Sequence, residues 1–168
     1  MANSKQAAMD AEDGSSTALS RLRERAGIVD DAIVQRLQAL GYTAETVILI
    51  RLIPLIAVAW ADGSATENER EAIRAEAQAH GIQSGTPADR QLEEWLTIAP
   101  SEAFQDASVQ ILAASTSGDL AGVLTACRKV ASASGGFLGF GAISRREQDI
   151  LDRLANAFVR KGIATPHR

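Results

Sequence analysis

Aromatic residues make up only 4% of this 168-residue chain: two tryptophans, one tyrosine and four phenylalanines. No stretch of any length alternates apolar and polar residues, so the pattern argues against a sheet protein and for helices. One cysteine, Cys127, excludes an internal disulfide and makes a reducing, cytoplasmic setting the simpler expectation. Its position on the apolar stripe of a helix marks it as a small core residue, not a nucleophile. The two histidines, His80 beside Gly81 and His167 in the tail, leave no cysteine–histidine cluster for zinc. Positive charge is not in excess either. Seventeen Lys and Arg against 21 Asp and Glu give a net −4, which argues against nucleic acid as the ligand. The one candidate membrane span, Val47 to Trp60, falls short of the roughly 20 residues a bilayer needs, and Arg51 and Pro54 interrupt it. Asp10, Glu12 and Asp13 stand where a signal peptide would be apolar, so none is expected. There is no glycine-rich phosphate loop with lysine and no recognisable serine nucleophile.

What remains is a chain that is 46% hydrophobic and spaced for helices. Residues 1–16 are small and polar and are expected to be disordered, with 163–168 as a flexible tail. That leaves 17–162 as one all-α domain, a compact bundle of about seven helices. Thr17 to Leu40 carries Leu22, Ile28, Val29, Ile33, Leu37 and Leu40 as its apolar positions, with Gly27 weakening the middle and Gly41 ending it. Thr43 is expected to cap a second helix through Trp60, apolar on nearly every side and therefore central, with Pro54 either kinking it or starting a new segment. Thr66 to His80 forms a third. A fourth opens at Thr86-Pro87 and carries Leu92, Trp95, Leu96 and Ile98. A fifth runs from Pro100-Ser101 with Phe104, Val109, Ile111 and Leu112. The sixth, from Asp119, aligns Leu120, Val123, Leu124, Cys127 and Val130. Ser144 opens the last, with Ile150, Leu151, Leu154, Phe158 and Val159 apolar.

Two of these helix starts share a pattern. Thr66 and Glu69 fit a capping box, in which the hydroxyl and the glutamate each accept a backbone proton, and Ser144 and Glu147 fit it again. Each member of the second pair stands 78 residues after its counterpart in the first, as Gly141 does after Gly63 and Asp149 after Glu71. This offset points to two related helix-turn-helix halves. They differ at one place: Asp62 in the first corresponds to Phe140 in the second.

The segment AWADGSATENEREAI (Ala59 to Ile73) resembles the acidic helix-turn-helix of the TerB-like tellurite-resistance family, in which a DG pair is followed by a glutamate; here these are Asp62, Gly63 and Glu69. GGFLGFGAISRREQDIL (Gly135 to Leu151) resembles the family's later half, with Ile143, Ser144 and Glu147 in place. The resemblance spans roughly Thr43 to Phe158; the first 40 residues lie outside it, and their role is open. It implies a compact helical, non-enzymatic domain, associated with tellurite and other stress responses, with protein partners and with divalent cations such as calcium. Carried over, the acidic positions make Asp62 and Glu69 the leading metal ligands, with Glu67 and Glu71 as outer contributors. Phe140 in place of an acid puts a second ion site in doubt.

The turn also has a plainer reading. Asp62 sits at a helix carboxyl end, where negative charge is disfavoured, and needs a metal, an arginine or the next helix start nearby. Calcium takes six to eight oxygens, and the turn from Ala59 to Glu69 offers carbonyls, two carboxylates and the hydroxyls of Ser64 and Thr66. It is no EF-hand, since the glycine and final glutamate that loop needs would fall on Glu67 and Ile73. Capping alone accounts for the same residues. A structural adaptor without an ion and a metal-dependent hydrolase therefore stand beside the ion-binding module. The loop with Phe137, Leu138 and Phe140, followed by Arg145 and Arg146, suits docking to a partner or peripheral contact with a membrane, or else inward-folded phenylalanines.

Overall fold

A computed structural model describes residues 16–115, 119–133 and 143–159. Every regular element among them is helical. Residues 16–26 form α1, followed by α2 (Asp31–Ala39), a 3-10 segment (Val47–Arg51), α3 (Ile53–Ala59), α4 (Glu67–Ala79), α5 (Pro87–Thr97), α6 (Glu102–Ala114), α7 (Leu120–Ala133) and α8 (Arg145–Val159). The expectations for the chain before residue 16 and after residue 159 lie outside the described residues.

The first two helices of the sequence reading are each divided. Gly27 takes a left-handed φ of +63°, which ends α1, and Asp30 caps α2 by accepting from the Ala32 amide at 2.9 Å. Val29 therefore lies in the connection and is 90% exposed instead of buried. Thr43 caps no helix directly. Its hydroxyl accepts from the Glu45 and Thr46 amides in a turn, and the 3-10 segment follows. Pro54 starts α3 within its first two positions, where a missing amide proton costs nothing. All seven residues of α3 are buried, so it is central as its composition predicts, and no helix among the described residues is long and apolar enough to cross a membrane.

α3 and α7 pack on each other, α4 lies on α7, and α8 lies on α3. Each half of the 78-residue repeat thus places its second helix on the first helix of the other half. The apolar stripe of α7 is buried as expected, Cys127 within it. Burial pushes the Cys127 thiol up to about 12, which leaves it inert as a nucleophile. Two apolar ends depart from expectation: Ile98 is the C-cap of α5 and 74% exposed, and Val159 is 43% exposed at the last turn of α8.

Residues 16–40 belong to the same body. Leu22, Val34 and Leu37 pack with Tyr42, Val47 and Ile111 into a second cluster, which Ile50, Trp95 and Phe104 join to the main core. Tyr42 stacks on Phe104 and meets Trp95 edge to face, with the three ring centroids 5.4 to 6.4 Å apart. The buried Tyr42 hydroxyl lies 3.0 Å from Ser108 Oγ. Its removal in Tyr42→Phe is expected to cost about 1 kcal/mol in urea unfolding, since one neutral buried hydrogen bond is lost. An unchanged midpoint would show the bond to be idle.

Candidate functional site

Two helix starts each bury a glutamate. At α4, the Thr66 hydroxyl accepts from the Glu69 amide at 3.3 Å, and Glu69 Oε2 accepts from the Thr66 amide at 2.6 Å and the Thr66 hydroxyl at 2.7 Å. At α8, Ser144 Oγ accepts from the Glu147 amide at 3.1 Å, and Glu147 Oε2 accepts from the Ser144 amide at 2.6 Å. Both capping boxes form as the spacing predicts.

The glutamates do more than cap. Each is 3% exposed, and their carboxyl groups lie within hydrogen-bonding reach of one another. Buried like charges repel, and positive potential beside them offsets that repulsion. The amino ends of α4 and α8 supply part of that positive potential. Burial is the main force holding the Glu69 carboxyl above the usual carboxylate range, opposed by its bonds from Thr66 and reinforced by the nearness of Glu147. Sequence reasoning placed Glu147 in the repeat and missed it as a partner of Glu69. The 78-residue offset was the signal, because equivalent residues of two halves related by reciprocal packing can meet near the axis between them.

The other acidic positions are arranged differently. Asp62 is exposed in the turn before α4, where Gly63 takes a φ of +88° that favours glycine, and no hydrogen bond or ion pair ties Asp62 to another described residue. Glu67 accepts from Arg74 Nη1 at 2.8 Å, and Arg74 grips Glu93 of α5 through two further nitrogens at 2.8 and 3.0 Å. These bonds hold the Arg74 guanidinium firmly charged and fasten α4 to α5. Glu71 is exposed on α4. Among the described residues, no group of three or more histidine, cysteine, aspartate or glutamate side chains gathers to hold a metal ion. The Glu69–Glu147 pair, with the Thr66 and Ser144 hydroxyls beside it, supplies hard oxygen donors of the right kind for a hydrated divalent cation, and fewer than calcium ordinarily takes from protein.

Arg145 and Arg146 stand exposed on the first turn of α8, while Phe137, Leu138 and Phe140 lie outside the described residues. Beside Arg146 runs a cleft of about 590 Å³, bounded by α3, α6 and α8. Trp60 closes one part of it and is held there by its indole N–H, which donates to the Trp95 carbonyl at 3.0 Å. No family model, curated protein or solved structure matches the chain, so the chemistry of these places rests on their own residues.

Proposed function

We propose that the chain is a non-enzymatic, TerB-like interaction module whose two halves are clasped at Glu69 and Glu147 by a divalent cation, and which works with protein partners in a cytoplasmic stress or tellurite response. The observation that supports this reading is the contact between two buried carboxyl groups, one from each half. A hard cation between them would join two negative groups that otherwise repel, and occupancy would bias the packing of α4 and α8. Glu69 and Glu147 are the ligands in this reading; Asp62, on the surface, is at most an entry point.

A second reading is a structural adaptor in which a proton on Glu69 takes the place of the ion. The raised Glu69 carboxyl favours it. Thermal unfolding with and without calcium or magnesium separates the two. At about one hundred times the dissociation constant, a bound ion adds about 2.7 kcal/mol, roughly 5–10 °C for a chain of this length. The ion reading expects that rise in the natural protein and in Asp62→Ala, and its loss in Glu147→Gln. Flat responses to both ions in all three proteins leave the proton-held adaptor.

A further inference from the structure

The cleft bounded by α3, α6 and α8 has walls of opposite character. Along α6, Glu102, Asp106 and Gln110 recur every four residues and form one exposed rim. Along α8, Arg146, Asp149 and Arg153 form the other, with two cations to one acid. Between the rims the floor is apolar: Trp60, Val109 and Ile150 are half-buried and Leu154 is buried. No ion pair joins the five charged rim residues to each other or to any other described residue. The rims are thus charged, opposed and not spent on one another.

From Arg146 to Ala157 the cleft follows α8 for about 16 Å, three helical turns.

The geometry points to this cleft as the docking site for an amphipathic helix of a partner protein, with an apolar stripe flanked by Lys or Arg on one side and by Asp or Glu on the other. The basic flank lies along Glu102 and Asp106 of α6, and the acidic flank along Arg146 and Arg153 of α8. Charge complementarity selects this occupant: a stripe flanked by one sign alone meets a like-charged rim on one side. The inference rests on the interaction-module part of the proposed function and is independent of any ion at Glu69 and Glu147.

The test uses three fluorescein-labelled designed helices of about 14 residues, sharing one leucine stripe and differing only in their flanks: lysine with glutamate, lysine on both sides, and glutamate on both sides. Fluorescence anisotropy with the full chain in chelator is expected to show the mixed-flank helix binding about tenfold or more tighter than either single-sign helix. In Arg146→Glu/Arg153→Glu both rims are acidic, and the preference is expected to pass to the all-lysine helix. Unchanged circular dichroism and melting of that variant accompany the comparison. Equal binding of all three helices, or no binding, overturns the proposal. So does sedimentation showing that the chain self-associates through the cleft and that the double variant is monomeric, which assigns the surface to a second copy. Loss of the ion response with the helix preference intact would sink only the clasp.

Discussion

Glu147→Gln is expected to be more stable than the natural protein at about pH 8 in chelator, by about 1–2 kcal/mol, although it alters a buried capping residue. The amide oxygen still accepts from Ser144, so the α8 start is kept, and the new N–H donates to Glu69 where two acidic groups met before. The pH dependence has a fixed sign. Burial raises the Glu69 carboxyl above its ordinary value of 4.5, so the folded protein holds a proton that the unfolded chain releases. That contribution is complete below about pH 4.5 and is lost as pH climbs through the folded value. Stability from urea unfolding at several pH values between about 4 and about 8 should therefore fall with pH in the natural protein and somewhat less steeply in Glu147→Gln, where burial, the larger cause, remains. Parallel pH profiles for the two proteins would show that the nearness of Glu147 adds nothing to the raised Glu69 carboxyl. Glu147→Ala provides the contrast: it removes the like charge and the cap together, and is expected to gain nothing.

Phe158→Ala should cost about 3–5 kcal/mol, a large share of the roughly 5–15 kcal/mol that holds a domain of this kind together. Phe158 is 0% exposed and belongs to the main core with α3 and α7 residues, so truncation leaves a cavity that packed helices cannot collapse around. The melting midpoint should drop by about 10 °C or more. Its neighbour Val159 is 43% exposed, and Val159→Ala should stay within about 0.5 kcal/mol of the natural protein. Equal losses at the two positions would mean that the last turn of α8 is not packed as described.

The helical character and the core stripes of α7 and α8 were legible because burial on one face imposes a spacing that a sequence displays directly. Thr66, Glu69, Ser144 and Glu147 were legible for a similar reason, since a cap is made within four residues. The division at Gly27 was harder to read, because a glycine inside an apolar pattern marks either a weak helix or a break, and only the packing of Val34 and Leu37 onto α6 decides. Ile98 and Val159 misled because apolar identity says what a side chain tolerates, not where the helix ends. The Glu69–Glu147 contact joins residues 78 apart, and no local pattern reports such a distance. The cleft is likewise assembled from three helices whose order along the chain gives no hint that their edges converge.

The reciprocal packing of the halves also bears on how the chain is made. α3 is buried on every residue, but α7 and α8, which cover it, begin about 60 and 85 residues later. At a synthesis rate of about 5–20 residues per second, the most apolar helix waits several seconds for its cover. During that interval α4, α6 and the 3-10 segment shield it among the described elements, and the core stays open until Phe158 has left the ribosome. Products that stop before Phe158 should therefore engage chaperones or aggregate more readily than the full chain.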